Sequence, residues 1–323
     1  MRKLSFAVAA TIFGAIGSAS AQTYPSQPIT MLVGYAVGGP SDTIARIMAD
    51  RMKVTLGQPV IIENVTGAAG SIAVARGARS PHDGYTIVMG DWSTHVVNAA
   101  MYDLQYDVVK DFEPVSLLPS APQIIASPNS VPAKNLKDLI AWIKADPTKV
   151  AYGMSGLGSP SHVSGVLLQN VTGAKFQLVP YRGAALVMND LLAGTLQLSM
   201  FPVTVALPQL RAGGVRAYAI TAGQRSVIAP DIPTVDEAGL PDFHISLWWG
   251  LWMPKGTSKD VIAKVNAAVV DTLADPLTQK RIADQGLDIP PREQQTPQAL
   301  AAYQKAEIQK WWPIVKAANI KGQ

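Results

Sequence analysis

The feature that most constrains the fold of this chain is an alternation between short apolar runs and segments with helical periodicity. The apolar runs are predicted to be strands, and they span residues 29–33, 60–64, 86–89, 123–126, 176–179, 196–200 and 217–220. Helical patterns lie between most of them, at 136–145, 161–170 and 184–193, and most of 258–321 is also predicted to be helical. This alternation is typical of α/β proteins with mostly parallel sheets.

The glycine pair in "VGYAVGGPSDTIARIMADRM", residues 33–52, marks a turn between a strand and a helix. Pro40, Ser41 and Asp42 are residues that commonly begin helices. Such a turn directs backbone N–H groups and the positive end of a helix dipole above the sheet, where anions bind. We interpret Gly38 and Gly39 as clearing space for an acid group, the alternative being a plain turn without a ligand. Asp42 would repel an anion unless its carboxylate points away and caps the helix.

Two further turns have the same character. In "YGMSGLGSPSHVSGVLLQN", residues 152–170, glycines precede a helix, and Ser155, Ser159 and Ser161 supply hydroxyl groups. In "VPYRGAALVMNDLLAG", residues 179–194, Arg182 and Gly183 stand between a strand and a helix. One helix terminus stabilises an anion by only about 0.3–1 kcal/mol, but several termini together with hydroxyl groups can reach micromolar affinity. The three turns predict a carboxylate site between two domains.

The N-terminus, residues 1–21, is predicted to be a signal peptide. Arg2 and Lys3 precede an apolar stretch that is shorter than the roughly 20 residues of a membrane span. Ala19, Ser20 and Ala21 form a small-residue cleavage site, so we expect a periplasmic protein that is cut after Ala21 and does not span the membrane. Removing Arg2 and Lys3 lowers the formal net charge from +4 to +2, which gives no basis for a nucleic-acid surface.

The composition bounds how such a chain is stabilised. It contains no cysteine, and 48% of its residues are hydrophobic. Apolar cores rather than disulfides must therefore hold the fold together. A length of 323 residues suggests two domains.

Motifs for catalysis and for metal binding are absent from the sequence. No Gly-x-Ser-x-Gly elbow and no Gly-Lys-Ser/Thr phosphate loop occurs, and the Gly-Leu-Gly segment at 156–158 lacks the acidic residue of a dinucleotide fingerprint. None of the four histidines is paired with another at metal-ligand spacing: His82, His95, His162 and His244. We expect no catalytic residue, no metal and no cofactor.

Short motifs along the whole chain carry a resemblance to one family. In chain order they are YPSQPITMLVGYAVGGPSDTIAR, ENVTGAAGSIA, SPHDGYTIV, YDVVKDFEPV, GSPSH, VPYRGAA, DLLAGTLQLSMF and PDIPTVDEAGLPDF. Together and in this order they resemble the extracytoplasmic solute receptors of the tripartite tricarboxylate transporter system, the TctC or Bug family. The resemblance runs from Tyr24 to about the C-terminus.

The resemblance implies a fold, a domain division and partners. The fold would be a two-domain periplasmic binding protein, a type II-like Venus flytrap of α/β domains with a hinge of crossing segments. Residues 22–123 and 247–323 would form domain 1, and 124–246 would form domain 2. The protein would close on an organic carboxylate and present it to the inner-membrane permease subunits of the transporter. A monomer is expected.

The family's pocket, carried over by position, would lie between the two domains. Domain 1 would contribute Tyr35, Ala36, Gly38, Gly39, Ser41, Asp42, Ser93, Thr94 and His95, with Asp91 and Trp92 immediately before Ser93. Domain 2 would contribute Ser155, Gly158, Ser159, Ser161, His162, Arg182, Gly183 and Phe201. Arg182 would contact the ligand or form a structural ion pair. Trp248, at the return crossing, would line the cleft or brace the hinge.

Departures from the family's pattern bear on the ligand. Many relatives have an acidic residue after the position of Phe201, where it would meet an ammonium group, but this chain has Pro202, which disfavours amino acids. Trp92, Trp249 and Trp252 offer flat apolar surface. We therefore expect an aromatic or extended dicarboxylate of the phthalate type, unless these tryptophans belong to the core. The alternative functions are an enzyme acting on small organic acids and a receptor that presents its ligand to a signalling sensor.

Overall fold

The computed structural model describes residues 24–156, 159–226, 228–241 and 243–317. Its strands are β1 (Ile29–Val33), β2 (Val60–Asn64), β3 (Thr86–Asp91), β4 (Phe112–Pro128), β5 (Ala151–Met154), β6 (Gln177–Pro180), β7 (Leu198–Pro202), β8 (Val215–Ile220) and β9 (Ser246–Pro254). They form one sheet in the order β2-β1-β3-β9-β4-β7-β5-β6, with β8 also paired to β4. The expected signal peptide and Gly158 lie outside the described residues.

Helices cover this sheet and confirm the α/β prediction. They are α1 (Pro40–Leu56), α2 (Ser71–Ala78), α3 (Asn98–Met101), α4 (Leu136–Ala145), α5 (Pro160–Thr172), α6 (Ala184–Leu192), α7 (Val203–Arg211), α8 (Lys259–Ala274), α9 (Pro276–Asp284) and α10 (Pro297–Ala317). Helix α1 begins with Pro40 and ends at Gly57, whose φ of 70° lies in the left-handed region that glycine favours. None of the described helices is both long and apolar enough to cross a membrane.

Strand β4 differs most from the sequence prediction. Only 123–126 is predicted as a strand, whereas β4 has 17 residues. Prolines such as Pro114 and Pro119 argue against a strand, because proline cannot donate a hydrogen bond to the ladder. The sheet accommodates them because the register with β9 shifts between Pro114 and Ser116 and again between Leu117 and Ser120.

Strand β4 also joins two parts of the sheet. Residues 112–122 of β4 pair with β9, whereas residues 123–128 pair with β7 and β8. We call β1, β2, β3 and β9 with residues 112–122 the first half-sheet, and β5 to β8 with residues 123–128 the second half-sheet. Strand β1 pairs parallel with β2 and β3, and β5 pairs parallel with β6 and β7. Strand β9 pairs antiparallel with β3 and β4.

Apolar cores lie on both half-sheets. On the first, Met48 of α1 and Val269 of α8 belong to one cluster with strands β1, β3 and β9. On the second, Val187 of α6 and Ala206 of α7 pack with β4 and β7. Fully burying a side chain the size of valine or methionine contributes about 1.5–3 kcal/mol. These cores therefore stabilise the fold without disulfides.

Candidate functional site

Strand ends from both half-sheets converge on the level at which β4 changes partners. Because β3 is antiparallel to β9, and β9 to β4, strands β1 and β3 run in the same direction as β4. Strands β5, β6 and β7 run in the opposite direction, and Pro202 at the end of β7 pairs with Gln123. The turns that begin α1, α5 and α6 therefore approach one region from opposite sides. Ligands of α/β proteins commonly bind at the carboxyl ends of the strands.

Asp42 organises the turn between β1 and α1. It is 2% exposed, and its carboxylate accepts hydrogen bonds from Arg46 (2.9 Å), the Gly38 N–H (2.9 Å) and Asn64 Nδ2 (3.0 Å). These hydrogen bonds, above all that from Arg46, lower the pKa of Asp42 to about 2. The charge of Asp42 is thus compensated by donors of the protein, so Asp42 would not repel an anion bound nearby.

The structure adds a backbone requirement at the glycine pair, while the space for an acid group stays a prediction. Gly38 has a φ of 84°, which glycine adopts readily, and its N–H is already bound to Asp42. A Cβ on Gly38 would meet no atom within 4 Å, and one on Gly39 would meet only Ala36 O at 3.4 Å. Backbone conformation rather than crowding requires Gly38. The first turn of α1, and not the N–H of Gly38, would meet an anion.

Asp91 positions two polar groups of the first half-sheet. It is 3% exposed and accepts hydrogen bonds from the Thr94 N–H (2.8 Å) and the Thr94 hydroxyl (3.0 Å). The Tyr35 side chain and the Ser93 N–H also bind it, although burial outweighs these contacts and raises the pKa of Asp91. Tyr35 and Ser93 remain partly exposed, whereas Thr94 is buried. Tyr35 and Ser93 are therefore the candidate ligand contacts, and Asp91 and Thr94 hold them in place.

Two aromatic side chains of the expected pocket lie in the core instead. Trp92 is 1% exposed and packs edge-on against Trp311, with ring centroids 5.3 Å apart. His95 is 0% exposed and stacks on Trp252 at 3.8 Å. Burial lowers the pKa of His95 to about 3, so the ring is neutral near pH 7. Residues 93–97 form a π-helical turn, whose side-chain directions the motif does not reveal, and neither ring is positioned to touch a ligand.

The tryptophans of β9 are also buried. Trp248 is 0% exposed and donates a hydrogen bond to Glu307 Oε2 at 3.1 Å. Trp249 is 1% exposed and donates to the Ser41 hydroxyl at 2.8 Å. Of the two expected roles for Trp248, these contacts favour bracing the crossing. Ser41, itself 6% exposed, anchors Trp249 at the start of α1.

The turn before α2 belongs to the same region and is not among the predicted site residues. Residues 67–70 all have positive φ, including the non-glycine Ala69 at 51°, and Asn98 Nδ2 donates to Ala69 O at 3.0 Å. A Cβ on Gly70 would lie 2.7 Å from Thr94 Cγ2, which places this turn beside the Asp91 cluster. Strained backbone of this kind is common at functional sites. The motif GAAG lies at the turn, but alanine residues in a sequence do not indicate a left-handed backbone conformation.

Serine hydroxyls form a network at the start of α5. Ser159 is the N-cap residue, and its hydroxyl donates to Gly156 O at 2.7 Å. Ser161 Oγ accepts from the Ser155 N–H at 2.9 Å and lies 3.0 Å from Ser155 Oγ and 3.1 Å from Ser159 Oγ. The expected serines are thus brought together, at the end of β5.

Three further expected residues lie beside this network. Burial lowers the pKa of His162, which is 7% exposed, so its ring is neutral near pH 7. Arg182 is exposed, and Gly183, with φ 121°, precedes α6. Direct contact between Arg182 and a ligand remains a prediction.

A cavity of about 130 Å³ connects several of these residues. Ser155, Ser161 and Phe201 of the expected site line it together with Gln123 and Pro202. A larger cavity of about 1060 Å³ lies between residues 221–226 with Ile228 and helices α9 and α10. Of the expected site residues, only Trp248 borders that larger cavity. The smaller cavity is therefore the better candidate for part of a ligand site.

Three helices of the candidate site begin differently from α4, α8 and α9, whereas α5 is capped by Ser159, whose side chain accepts the His162 N–H. The N-cap residues of α1, α2 and α6 are Gly39, Gly70 and Gly183, and none of these helices has a side-chain cap. In α4, α8 and α9, by contrast, an Asn, Ser or Asp side chain accepts a first-turn N–H. Three helix starts in this region therefore keep first-turn N–H groups that no capping side chain occupies.

Opposed strand ends with uncapped helix starts define a solute receptor of the periplasmic binding protein class. The chain belongs to the TctC family, because the profile described as "Tripartite tricarboxylate transporter family receptor" matches residues 44–320. Its solved structural neighbours include the periplasmic binding protein BugD.

Individual relatives support the assignment over almost the full length. The chain is 37% identical to the UPF0065 protein of the TAR-I ttuE-ttuC' intergenic region of Agrobacterium vitis, covering 98% of this chain and 92% of the relative. It is similar to MatC (Rpa3494) from Rhodopseudomonas palustris with bound malate, at 36% identity and TM-score 0.72, covering 90% and 100% of the two chains. It is also similar to R. palustris Rpa4515 with adipate, at 31% identity and TM-score 0.75, covering 92% and 99%.

Proposed function

We propose that this protein captures a short aliphatic dicarboxylate in the periplasm and delivers it to a membrane permease of the tripartite tricarboxylate type. The observation that carries the proposal is the set of uncapped, glycine-initiated helices α1, α2 and α6 at the converging strand ends. Membership of the TctC family supports it.

A dicarboxylate suits this site because helix N–H groups that no side chain caps lie on two sides of it. One helix start stabilises an anion by about 0.3–1 kcal/mol, and up to about 2 kcal/mol when partly buried. Micromolar affinity requires about 8 kcal/mol, so several starts and charge-assisted hydrogen bonds of about 1.5–3 kcal/mol each must act together. Tyr35 and Ser93 lie on one side, and Ser155 and Ser159 lie on the other. Without ligand their hydroxyl groups bond to Asp91, to Gly156 O and to one another, so they would have to turn toward a carboxylate to form those bonds. A carboxylate at each end of the ligand would engage both half-sheets.

This arrangement fits a division into two domains, one formed by residues 22–123 and 247–323 and the other by residues 124–246. Strand β4 changes partners between Pro122 and Gln123, and β9 begins at Ser246. A hinge at these crossings would let the half-sheets close on the ligand. The division into domains is part of the proposal.

The choice of an aliphatic ligand replaces the phthalate-type expectation. Trp92, Trp249 and Trp252, which suggested aromatic stacking, are each 1% exposed and belong to the core. The relatives MatC and Rpa4515 were solved with malate and adipate, which are aliphatic dicarboxylates. Pro202 in the cavity wall offers no charge to an ammonium group.

Thermal-shift measurements and calorimetry with malate, succinate, adipate and phthalate test ligand capture. We expect aliphatic dicarboxylates to raise the melting temperature, because a ligand that binds only the folded state adds RT ln(1 + [L]/Kd) to the free energy of unfolding. Phthalate should raise the melting temperature less. NMR of the recovered ligand should show it unaltered, whereas an enzyme would convert it. Failure of every dicarboxylate to stabilise the protein, or conversion of one, would contradict the proposal.

Uptake of labelled ligand by the source bacterium tests delivery to a permease. Deleting the gene for this protein should abolish high-affinity uptake, and restoring the gene should return it. A receptor that serves only a signalling sensor would leave uptake unchanged, and that result would contradict the transport role.

A further inference from the structure

The ladder between β4 and β9 has two faces that serve different parts of the molecule. Successive side chains of a strand point to opposite faces, so Trp248 and Trp249 lie on different sides of the ladder. Trp249 donates to the Ser41 hydroxyl at the start of α1. Gln123, which the pairing of β4 with β9 places on the same face as Trp249, donates from Nε2 to Ser164 Oγ of α5. We call this face the front, because the starts of both helices belong to the candidate site.

The opposite face, which we call the rear, borders the cavity of about 1060 Å³. Trp248 lines this cavity together with Ser120 and Ser246, which the ladder places on the same face. The wall of the cavity also includes residues 221–226 on one side of the proposed domain division and residues of α9 and α10 on the other side. The cavity therefore separates the two proposed domains behind the hinge.

Two contacts join the proposed domains beside this cavity. A Cβ on Gly286 would lie 2.5 Å from Thr204 Cγ2 and 2.9 Å from Ile228 Cδ1, so the domains touch here without room for a methyl group. Lys310 Nζ of α10 donates to His244 O at 2.6 Å. Gly286 and Lys310 belong to the proposed domain 1, and their three partners belong to domain 2. We call these two interactions the rear contacts.

At the front, the turns of the two proposed domains stand apart. Gly38 lies in a turn of domain 1 and Gly183 in a turn of domain 2, and a Cβ on either would meet no atom within 4 Å. Val37 and Leu186, close to those glycines in the chain, are 70% and 48% exposed. The described state is therefore open at the front while the rear contacts are made.

Closure of the front would separate the domains at the rear. The ladder of β4 and β9 lies between the two faces, so a rotation about it that narrows the gap at the front must widen the gap at the rear. Exposed residues such as Gln224 line the rear cavity, so no packed core opposes this widening there. The rear contacts are interactions that such a rotation would break.

We propose that the rear contacts hold the receptor open and so limit its affinity for a ligand that they do not touch. This inference rests on the proposed function, in which the protein closes on its ligand. When only the closed state binds tightly, the apparent Kd equals the intrinsic Kd divided by the fraction of molecules that is closed. Weakening the rear contacts raises that fraction, so the affinity should increase.

Gly286→Ala, studied by calorimetry with malate, succinate and adipate, tests the first rear contact. The added methyl group must displace Thr204 or Ile228, which pushes the domains apart at the rear. We expect the ligand that the wild type binds most tightly to bind at least about threefold more tightly to this variant. Gly57→Ala is the matched control, because Gly57 has φ 70° against 67° for Gly286, but a Cβ added there would meet no atom within 4 Å. The control should keep the wild-type affinity.

Lys310→Met tests the second rear contact. The substitution keeps the apolar stem of the side chain and removes the donor to His244 O, so we expect affinity to rise at least about twofold. Lys316→Met is the matched control. Both lysines lie over an indole ring of α10, but among the described residues only Lys310 is hydrogen-bonded to the proposed domain 2. Lys316→Met should keep the wild-type affinity.

Distances between spin labels measure the same equilibrium without a ligand. Labels at Val37→Cys and Leu186→Cys lie on the two sides of the front, so a shift toward closure should shorten the distances between them. We expect a population at shorter distance in Gly286→Ala and in Lys310→Met before any ligand is added, and none in Gly57→Ala. A variant that only altered the shape of the ligand turns would change affinity without this population.

The outcomes separate this inference from the proposed function. Affinity that is equal to or below that of the wild type in both Gly286→Ala and Lys310→Met contradicts the inference, as does an unchanged ligand-free distance distribution in both. Equal gains in Gly57→Ala and Lys316→Met contradict it as well. If the wild type binds no dicarboxylate, the proposed function is wrong, and the ligand-free distances alone decide this inference. If Gly286→Ala does not fold, Lys310→Met and its control decide it.

Discussion

At the scale of single residues, two buried carboxylates stabilise the same side of the site in different ways. Asp42 is surrounded by donors, and the hydrogen bond from Arg46 is the main cause of its low pKa. Asp91 is buried without a cationic partner among its described contacts, and burial raises its pKa. Both are therefore positioning residues: Asp42 holds the turn before α1, and Asp91 holds Tyr35 and Ser93.

Asp42→Asn tests the first role. The pKa of Asp42 is about 2 in the folded protein against an ordinary value of 3.8, so its contribution to stability is present above about pH 4 and is lost as the pH falls toward about 2. We expect the variant to lose about 1–3 kcal/mol of unfolding free energy at pH 7, because it loses charge-assisted hydrogen bonds. Its melting temperature should then depend less on pH in that acid range. Urea unfolding and melting curves measure both effects.

Asp50→Asn is the control for this prediction. Asp50 is a half-exposed carboxylate that pairs with Lys53 and Arg281 on the surface. Because exposed ion pairs contribute little, we expect a loss below about 0.5 kcal/mol. Equal losses for Asp42→Asn and Asp50→Asn would show that Asp42 does not hold the turn.

At the scale of elements, three helix starts at the site differ from three in the scaffold, although α5, which also begins at the site, is capped by Ser159. Side chains cap α4, α8 and α9, as in helices whose first N–H groups need only a hydrogen-bond acceptor from the protein. Helices α1, α2 and α6 begin with glycine and no side-chain cap. A capping side chain would compete with an anion for the same N–H groups, so its absence suits a binding site.

Gly183→Ala tests the start of α6. Gly183 has φ 121°, and a Cβ there meets no atom within 4 Å, so the substitution acts through backbone strain alone. We expect a loss of about 1–2 kcal/mol of unfolding free energy and a dicarboxylate affinity reduced at least about fivefold, because the start of α6 must shift. Urea unfolding and calorimetry measure the two quantities.

Gly173→Ala provides a comparison with similar chemistry. Gly173 follows the C-terminal end of α5 and has φ 67°. A Cβ added there would also meet no atom within 4 Å. It should lose about 1–2 kcal/mol, no more than Gly183→Ala does, because its conformation is in the left-handed region, and it should bind the ligand as tightly as the wild type. Similar affinity losses in both variants would mean that strain anywhere, and not the helix start, weakens binding.

At the scale of the whole molecule, β4 and β9 carry the chain between the half-sheets. Their ladder ends at the pair Pro122 and Ser246, and from Gln123 onward β4 belongs to the second half-sheet. Because few strands cross this level, rotation about it would disturb few backbone hydrogen bonds. Hinge closure around a ligand is the expected motion.

Distances between spin labels test this motion. The natural chain has no cysteine, so Val37→Cys with Leu186→Cys places labels only on the two sides of the site. Val37 is 70% exposed and Leu186 is 48% exposed. Saturating dicarboxylate should shorten and narrow the distance distribution, because closure brings the two turns together. An unchanged distribution at saturation would contradict hinge closure.

A second labelled pair controls for local effects. Val37→Cys with Val54→Cys, where Val54 is 65% exposed on α1, keeps both labels on the first half-sheet. Its distance should remain the same with and without ligand. A ligand-dependent change in this pair would indicate movement of the turn before α1 rather than of the hinge.

The sequence alone determined the features that depend on neighbouring residues. The runs at 29–33 and 60–64 coincide with β1 and β2, and α1 begins at Pro40 as its starting residues predict. The α/β class and the TctC family follow from the same local patterns and from the order of the motifs. Periodicity and turn chemistry are properties of short segments, so they can be read without knowledge of the fold.

Only the tertiary structure decided which side chains of those segments face the site. His95 stacks on Trp252 and Trp92 packs on Trp311, partners that are far away in the chain. Strand β4 continues through its prolines because β9 supplies a ladder that tolerates bulges. The buried amide of Gln123 donates to Ser164, which lies 41 positions further along the chain. Burial and hydrogen-bond partnership depend on residues that folding brings together, and no local pattern encodes them.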